Sequence, residues 1–344
     1  MTIDHSALRR LIRDIFAAAG SNHHEAERIA FYLVEANLVG HDSHGVIQVP
    51  RYIERVREGH LVPNQKVEIV TENEVLTVLD GRLGFGQVIG EEAMEIALDK
   101  SARFGLSLVA LRNSGHLGRI GDWAEMAARA GMVSLHFVNT SGGGILVAPH
   151  GGKERRISAN PIAAGVPVKG GPPIILDMST CTIAEGKIRV AASEGKSVPE
   201  GAILDGQGHP TVDPQALYAS PPGAILPVGG HKGFALGVLV EVLAGAITGG
   251  SCSRPGTKVV SNNMLTLVID PARLRARPEF DREIADFTAW VKSSALIQPD
   301  GEILMPGEPE HRSRVKRLRE GIPLHPATWK ALADVARSLR VRIH

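Results

Sequence analysis

The segment Asn113–Trp123, NSGHLGRIGDW, connects an apolar strand pattern to a helical pattern, and its glycine spacing limits the folds that the chain can adopt. The spacing is G-x-x-G-x-x-G, whereas a Rossmann turn has G-x-G-x-x-G and an acidic residue about 20 positions later for the ribose. Neither feature is present, and HGGKE at 150–154 lacks the spacing of a P-loop. The sequence therefore argues against both nucleotide-binding folds. A loop that opens a helix still predicts a seat for phosphate, and we expect Arg119 to meet an anion there.

Strand and helix patterns on either side of this loop predict an α/β protein. Six short apolar runs predict strands: KVEIVTE (66–72), VLTVLDG (75–81), SLVALRN (107–113), VSLHFVN (133–139), PIILDMS (173–179) and LTLVIDP (265–271). Helical patterns interrupt them at 90–105 and 120–131, and further helices occupy both ends of the chain, where Asp4 is positioned to cap the first. We expect a central mixed-sheet domain at 76–264 and a helical domain assembled from 1–75 and 265–344.

Composition excludes several classes of protein. The net charge is +1 over 344 residues, which gives no electrostatic basis for binding nucleic acid. Two cysteines exclude a disulfide framework and favour a reducing compartment. The most apolar segment, Gly233–Gly250, is interrupted by Glu241, so it predicts a buried helix and not a membrane span. We expect a soluble, cytoplasmic protein with no nucleic-acid or membrane partner.

Four loops combine glycine with ionisable side chains. They are HDSHG (41–45), the segment 113–123, LDMSTCTIAEGK (176–187) and GGHKGFAL (229–236), and three of them contain histidine. One such loop is weak evidence, because glycine often marks only a turn. Together they indicate a phosphate-bearing cofactor and acid–base chemistry, for which the near-neutral pKa of imidazole is suited.

The same residues leave other chemistries open. His41 and His44 could share a metal ion, but zinc usually takes a third protein ligand, and H-E-x-x-H is absent. Ser43 beside His44 could belong to a hydrolase, but the G-x-S-x-G elbow is missing. We therefore expect no metal and keep a metal-dependent hydrolase as the alternative from another enzyme class. A nucleotide-binding protein without catalysis is a further alternative.

The loops and their flanks together resemble the malate/L-lactate dehydrogenase family of the non-Rossmann kind, also called type 2 or sulfolactate dehydrogenase-like. The matching segments run in family order from residue 4 to about 335: GHDSHGV with PRYIERVREG, NSGHLGRIGDWAE, HGGKERRISANPIAAGVP, LDMSTCTIAEGKIRVA, PEGAILDGQGHPTVDP, GGHKGFALGVLVEVLAGAITGG, and PGEPEHR with GIPL. GHDSHGV and GRIGDWAE are most similar to the hydroxycarboxylate dehydrogenase B branch. GGHKGFAL also resembles the cyclic-imine reductases that make pipecolate or proline.

The resemblance implies a sulfolactate dehydrogenase-like fold whose central domain binds NAD or NADP and whose helical domain lies on the substrate side. It implies reversible hydride transfer between nicotinamide and a 2-hydroxy or 2-oxo carboxylic acid. It also implies a homodimer or higher homo-oligomer with the active site near the interface. The alternative within the same chemistry is reduction of a cyclic imino acid, Δ1-piperideine-2-carboxylate or pyrroline-2-carboxylate.

The family's catalytic positions correspond to four side chains here. His116 matches the expected proton donor to the developing alkoxide and His44 the histidine that orients substrate or nicotinamide, although sequence leaves these two roles interchangeable. Ser43 is placed to hydrogen-bond either histidine, and Asp177 to fix a histidine or the carboxamide. The positions that match cofactor-lining segments are His44, Gly118, Arg119, Ile120, Thr140, Asp177, Met178, Ser179, Thr180, Cys181, His231, Lys232, Gly233, and, in a late loop, Glu308, Pro309, Glu310 and Arg312.

Three departures from the family pattern bear on the substrate. Gln48 stands where many members have an arginine suited to grip a carboxylate bidentately, so we expect a monocarboxylate with an apolar or aromatic tail instead of malate. Ala159 replaces the threonine before Asn160 and Pro161, and Cys181 replaces a serine. Gln48, Asn160 and Pro161 are the expected substrate-side residues.

Overall fold

The central feature of the fold is a seven-stranded sheet, seen in a computed structural model that describes residues 1–142, 144–256 and 259–343. The strands are β1 Thr2–Ile3, β2 Glu68–Glu72, β3 Leu76–Asp80, β4 Leu106–Ser114, β5 Val133–Ser141, β6 Ile145–Val147, β7 Ile157–Ser158, β8 Pro161–Val166, β9 Ile174–Ser179, β10 Ile203–Leu204, β11 Pro210–Thr211, β12 Ala224–Ile225, β13 Ser261–Ile269 and β14 Ile322–Pro323. The α-helices are α1 His5–Ala18, α2 His23–Leu38, α3 Val49–Arg57, α4 Gly86–Phe104, α5 Gly121–Arg129, α6 Glu185–Glu194, α7 His231–Val240, α8 Arg277–Lys292, α9 Glu308–Glu320 and α10 Pro326–Ser338. A π-helical segment, Glu241–Ala246, continues α7, and a short 3-10 turn, Asp42–His44, follows α2.

The seven-stranded sheet has the order β2-β3-β4-β13-β5-β8-β9. β13 lies at its centre and pairs antiparallel with both β4 and β5, and among the described strands of this sheet only β3 and β4 run parallel. A Rossmann sheet is mostly parallel. The pairing therefore confirms the α/β class with a mixed sheet outside the Rossmann topology, as the glycine spacing of segment 113–123 indicated.

Helices from both ends of the chain share one apolar core. Asp4 caps α1 by accepting a hydrogen bond at 2.9 Å from the backbone N–H three residues later, as predicted. Ile12 of α1 is fully buried in the same cluster as Ile322 and Leu332 near the C-terminus. β1 also pairs with β14, which joins the two ends directly. The expected helical unit from both chain ends is confirmed.

The strands of the central sheet bear on where the two domains divide. β2, at Glu68–Glu72, belongs to that sheet, and β13, at Ser261–Ile269, forms its centre. We propose to keep the division into a helical and a mixed-sheet domain, with the expected boundaries at 75/76 and 264/265 moved outward so that both strands stay with the sheet.

A second sheet, which the strand patterns did not predict, is formed by residues between β5 and α7. Its order is β11-β10-β12-β6-β7, and each strand has only two or three residues. Strands this short cannot show the alternation from which a strand is predicted. Their side chains nevertheless contribute to a core of their own, in which Val147, Ile188, Ile203 and Ile225 are at most 1% exposed.

The apolar segment expected as a buried helix forms α7 and the π-helical segment, but only one face is covered. Val240 and Ala244 are fully buried against the central sheet through Ile162. The large apolar side chains of the other face are more than a third exposed: Leu236, Val238, Leu239, Val242 and Ile247. The expectation of a buried helix is therefore wrong for the single chain. Among the described residues, no helix is both long and apolar enough to cross a membrane.

Candidate active site

The turn that carries Ser43 and His44 is held by the end of helix α2. The Asn37 amide oxygen accepts a hydrogen bond at 2.9 Å from a backbone N–H just beyond the turn, and the amide nitrogen donates to Asp42 at 2.6 Å. Gly45 has to be glycine, because a Cβ there would collide with the Asn37 amide. Asp42 therefore supports the turn, and the Ser43 and His44 side chains remain available to contact a ligand.

The two histidines expected to work together are neighbours in the structure. The ring centroids of His44 and His116 lie 5.7 Å apart, and the rings are 14° from parallel. The backbone N–H that follows His116 donates to the Asn262 side chain at 2.9 Å, and Gly86 at the start of α4 packs so closely on the His116 carbonyl that a Cβ would collide with it. Ser43 Oγ lies 3.0 Å from His44 Nδ1. Ser43 therefore contacts one of the two histidines, and both rings are held in place.

Tyr52 of helix α3 determines which nitrogen of His116 is left for chemistry. Its hydroxyl oxygen lies 2.6 Å from His116 Nδ1 and accepts a hydrogen bond from Gln87 Nε2 at 3.1 Å. Burial raises the pKa of the Tyr52 phenol to about 12, so the phenol keeps its proton at neutral pH. An imidazole that is anchored through Nδ1 is arranged to exchange a proton at Nε2.

Burial lowers the pKa of both histidines. The pKa of His44 falls to about 4, because the effect of burial exceeds the opposing attraction of the Asp177 carboxylate. The pKa of His116 lies well below its ordinary value, through burial first and then through the charges of His44, Arg51 and Arg55. Both rings are therefore neutral at pH 7 in the chain by itself. A neutral imidazole is the form that can take a proton from an alcohol.

Asp177 and Arg119 form a buried ion cluster in place of the expected anion seat. Asp177 Oδ2 accepts a hydrogen bond from the Gly121 N–H at 2.9 Å, so a carboxylate of the protein already occupies the positive end of α5. Arg119 is 2% exposed, and its guanidinium donates to Asp122 at 2.9 Å and to Glu125 at 2.7 Å. Burial would lower the pKa of Arg119, but the surrounding carboxylates raise it overall. Two nitrogens of this guanidinium, Nε and Nη2, are buried without a hydrogen-bond partner in the described part of the chain, so the assignment of Arg119 to the cofactor site stays a prediction.

The predicted cofactor segments at the end of β9 and the start of α7 lie against each other. Gly233, in the first turn of α7, approaches the Thr180 backbone so closely that a Cβ would collide with it. The Thr180 hydroxyl is buried and has no hydrogen-bond partner within the described part of the chain. His231 and Lys232 are exposed at the same helix start. The structure thus brings residues 178–181 and the α7 start into one region.

A cavity of about 370 Å³ opens beside His116. The remaining residues that line it are Gln48, Arg51, Arg55, Thr140, Gly144, Leu146, Arg155, Ala159, Glu185, Arg189, Leu217, Tyr218, Val260, Ser261 and Asn262. Gln48 lies on the α3 side and donates to the Ser43 carbonyl at 2.7 Å, which ties it to the histidine turn. The lining combines arginines with aliphatic side chains around one imidazole. Such a cavity suits a small organic acid.

The expected substrate residues are divided between the cavity and the core. Asn160 is fully buried and donates to Glu241 at 2.9 Å, so its amide supports the π-helical segment. Pro161 begins β8. Ala159, the residue that departs from the family pattern, does line the cavity. The structure therefore gives Asn160 a supporting place and brings Gln48 and Ala159 to the site.

Residues 308–312 form the first turns of α9, where a loop was expected. The charged ends of Glu308 and Arg312 pair with Lys292 and Glu302 and not with the two histidines. Glu310 does reach the histidine turn, where its carboxylate lies 3.3 Å from His41 Nε2. In the described ranges, no group of three or more His, Cys, Asp or Glu residues is arranged to hold a metal ion.

Sequence reasoning missed several residues of this site. Arg51, Tyr52 and Arg55 follow Gln48 at helical spacing, so their common face could have been found from the period of α3. Gln87 and Asn262 come from distant parts of the chain and carry no local signal. They enter the site only through the packing of α4 and β13 around the His116 loop.

Comparison with known proteins places the chain in a family. The family model for malate/L-lactate dehydrogenase matches residues 3–333. Hydroxycarboxylate dehydrogenase B of Escherichia coli (strain K12) is 40% identical over 341 residues, which are 98% of this chain and 94% of that protein. The structure of sulfolactate dehydrogenase from Methanocaldococcus jannaschii is 33% identical, with a TM-score of 0.90 over 100% of this chain and 98% of that chain. The structure of Δ1-piperideine-2-carboxylate reductase from Pseudomonas syringae pvar. tomato is 29% identical, with a TM-score of 0.85 over 98% and 100% of the two chains.

These matches extend over the helical core and the mixed sheet alike, so they are not confined to one shared motif. They confirm the resemblance that the histidine turn, segment 113–123 and the glycine-bearing loops indicated. The sulfolactate dehydrogenase-like fold expected from that resemblance is confirmed as well. The chain belongs to the malate/L-lactate dehydrogenase family.

Proposed function

We propose that the protein is an NAD- or NADP-dependent oxidoreductase that transfers a hydride reversibly between nicotinamide and a 2-hydroxy or 2-oxo carboxylic acid, with a preference for monocarboxylates. The observation that carries the proposal is the placement of His116, which Tyr52 holds through Nδ1 at 2.6 Å and which lines a cavity with arginine and aliphatic side chains. Membership of a dehydrogenase family supports the reaction class. The 40% identity to hydroxycarboxylate dehydrogenase B supports the substrate class.

In this mechanism His116 moves the proton that accompanies the hydride. In the reducing direction, imidazolium Nε2–H donates its proton to the oxygen of the 2-oxo group as C2 receives the hydride. In the oxidising direction, neutral Nε2 takes the hydroxyl proton back. In both states Nδ1 stays protonated and donates a hydrogen bond to the Tyr52 oxygen. The Tyr52 phenol, whose pKa is raised to about 12, takes no part in the transfer.

The residues around His44 fit a nicotinamide coenzyme. Asp177 lies close enough to raise the pKa of His44 against the effect of burial. Three residues further along the chain, against α7, the Thr180 hydroxyl is buried without a partner in the described part of the chain. Gly186 at the start of α6 approaches Ser43 so closely that a Cβ would lie 3.0 Å from the Ser43 Cβ. When bound, the coenzyme supplies or accepts the hydride. We assign its contacts to His44, to the backbone of 118–120, to Thr140, to 177–181 and to 231–233. The start of α9 would act indirectly, by holding His41 through Glu310.

The preference for a monocarboxylate follows from Gln48. Its amide is neutral and already donates to the Ser43 carbonyl, so it offers no charge for a second carboxylate. Leu146, Leu217 and Val260 line the same cavity and suit an apolar or aromatic tail. We expect Gln48→Arg to raise kcat/KM for oxaloacetate relative to phenylpyruvate by about tenfold or more, since a charge-assisted bond to a carboxylate is worth that much. An unchanged ratio would remove the inference from Gln48.

The proposal is tested by the oxidation of NADH and of NADPH with a panel of acids. The panel contains pyruvate, oxaloacetate, phenylpyruvate, 2-oxoisocaproate and Δ1-piperideine-2-carboxylate. Turnover of one or more of the four 2-oxo acids, ranked with monocarboxylates first, is the expected result. The same assay reveals which coenzyme is used. Binding of the reduced coenzyme without turnover of any acid would contradict the proposal and favour a nucleotide-binding protein without catalysis.

The second candidate is a reductase of cyclic imino acids. It is favoured by the structural match to Δ1-piperideine-2-carboxylate reductase over 98% of the chain. In that reaction the proton ends on nitrogen, which is more basic than a ketone oxygen and needs a weaker acid. Activity confined to the cyclic imine in the panel would favour this candidate over the first.

We also propose that the active form is a homodimer or a higher homo-oligomer. The uncovered face of α7 and its π-helical continuation exposes Leu236, Leu239, Val242 and Ile247 at 37–57%. Contiguous apolar surface of this kind usually marks a contact with another protein surface. His231 and Lys232 begin the same helix, so an interface formed there lies next to residues assigned to the coenzyme.

A further inference from the structure

We propose that Arg55, with Arg51 beside it at the mouth of the cavity, is the anchor for the carboxylate of the substrate. The assignment rests on the proposed function, since it names the group that recognises the acid in that reaction. Arg55 lies on α3, two helical turns beyond the neutral Gln48, and both residues line the cavity of His116. An anion held there would present its neighbouring carbon to the imidazole.

Four arginines line the cavity, and two of them are already engaged. Arg155 donates to the Gly223 carbonyl at 2.6 Å and also to the Leu217 carbonyl. Arg189 pairs with Glu185 on the same helix. Both guanidiniums are therefore used to hold the cavity wall together. The Glu185 carboxylate also accepts from Tyr218, so the acidic group of the lining is neutralised by its neighbours.

Arg51 and Arg55 differ from that pair. Among the described residues, neither guanidinium donates a hydrogen bond to the protein or lies within 4.0 Å of a carboxylate oxygen. Two acids are close to them in sequence: Glu54, which is exposed, and Glu58, whose carboxylate lies 3.2 Å from His60 Nδ1. Arg51 is exposed, so its guanidinium needs no protein partner, but Arg55 is half-buried, and a guanidinium that leaves bulk water is normally paired.

The surroundings of Arg55 favour an incoming anion. Its side chain is half-buried, and burial together with the like charge of Arg51 lowers the pKa of its guanidinium. A carboxylate bound between the two arginines would offset both the burial of the Arg55 guanidinium and its repulsion from Arg51, through paired, charge-assisted hydrogen bonds. The charges of Arg51 and Arg55 also reach His116, whose pKa they depress, so the three groups act on the same space.

An anchor at Arg55 also fixes the orientation of the substrate in the cavity. With the carboxylate at α3 and the adjacent oxo carbon at His116, the rest of the molecule extends toward Leu146, Leu217 and Val260. This order matches a 2-oxo monocarboxylate with an apolar tail. A substrate without the acid group would lose the contact at α3 and keep the apolar one.

The test compares wild type with Arg55→Gln and Arg51→Gln, using phenylpyruvate and its uncharged carboxamide. We expect Arg55→Gln to raise KM for the acid by about tenfold to a hundredfold, the range for a lost bond to a charged group, and to leave KM for the carboxamide within about threefold. Arg51→Gln should have the smaller effect, because Arg51 is the more exposed of the two. Guanidinium ion added to Arg55→Ala should restore part of the lost affinity for the acid. Arg57→Gln is the matched control, since Arg57 is on the same helix but bonds Ser338 outside the cavity.

A readout without turnover separates this inference from the proposed function. Oxamate, an unreactive analogue of a 2-oxo acid, should raise the melting temperature of wild type and of Arg57→Gln but not of Arg55→Gln. If no acid is turned over and oxamate still shows this pattern, the anchor stands and the proposed reaction falls. If acids are turned over and Arg55→Gln keeps both its KM and its oxamate shift, the anchor is wrong. Arg55→Lys, which retains the charge, covers the case in which the glutamine variant does not fold.

Discussion

At the scale of single residues, Tyr52 is the side chain through which the site can be tested most directly. We expect Tyr52→Phe to lower kcat by about tenfold to a hundredfold with a smaller change in KM. The ring would still pack on Phe16 and Phe85, at 6.4 and 6.2 Å between centroids, so only the hydroxyl is lost. His116 Nδ1 would then be left without its partner in a buried place, which costs about 1–3 kcal/mol and loosens the ring. Steady-state kinetics in both directions measure the effect.

Tyr32→Phe is the control for this prediction. Tyr32 is also largely buried and packs on Trp123 at 4.9 Å, in a different apolar cluster from Tyr52. Its replacement should leave kcat within about twofold of wild type, since the ring still packs and the lost hydroxyl lies outside the cavity of His116. A Tyr52→Phe enzyme with wild-type kcat would show that Nδ1 of His116 needs no partner, and the assignment of His116 as proton donor would lose its structural support.

The site shows how far single residues can be predicted from the sequence. The histidine pair was found because His44 and His116 lie in glycine-bearing loops that match a family. The surroundings of Arg119 could not be predicted, because its position beside a helix start indicates an anion site, whereas the Asp177 carboxylate that lies at that helix start is 58 positions away in the chain. Tyr52 looked like an ordinary core residue of α3. Its contact with His116 depends on tertiary packing that no local pattern contains.

At the scale of elements, long periodic segments were predictable and short or unusual ones were not. All six strand patterns correspond to strands of the seven-stranded sheet. β8 was missed because PIAAGV has small residues and a proline, which give a weak strand signal until β5 and β9 pair with it. Gly307 and Pro309 indicate a loop at 308–312, although proline in the first turn is typical of a helix start, as α9 shows.

The uncovered face of α7 carries the prediction that belongs to this scale. We expect Leu239→Glu to dissociate the proposed oligomer, because a charge placed on a buried apolar interface is costly. Leu239 is 46% exposed in the single chain, so the substitution should leave the fold of the monomer intact. Light scattering after size exclusion measures the mass of both proteins. Leu274→Glu is the control, since Leu274 is 80% exposed and lies beyond β13. Equal masses for wild type and Leu239→Glu would show that this face is not the interface.

At the scale of the whole molecule, buried neutral histidines make stability depend on pH. His136 is the clearest case, because it lies in the sheet and takes no part in the site. It is fully buried in β5, and its two ring nitrogens lie 3.0 Å from the Thr266 hydroxyl and 2.9 Å from the Ser134 hydroxyl. Burial lowers its pKa from 6.5 to about 3. The folded chain therefore keeps His136 neutral over a range of pH in which the unfolded chain protonates it.

The direction of the pH effect follows from which state binds the extra proton. Below pH 6.5 the unfolded chain binds a proton at His136 that the folded chain does not, so the free energy of unfolding falls as the pH is lowered, by up to about 1.4 kcal/mol per pH unit. Above pH 6.5 both states are neutral there and the contribution is constant. We expect His136→Gln, whose amide can still bond both hydroxyls, to lose stability less steeply than wild type as the pH falls from 6.5 to about 4. Urea unfolding at several pH values measures the free energy of unfolding of both proteins. Above pH 7, where His136 is neutral in both states, the difference between the two proteins gives the structural cost of the substitution, which is then subtracted at lower pH. Parallel curves below pH 6.5 would mean that His136 is protonated in the folded chain as readily as in the unfolded one.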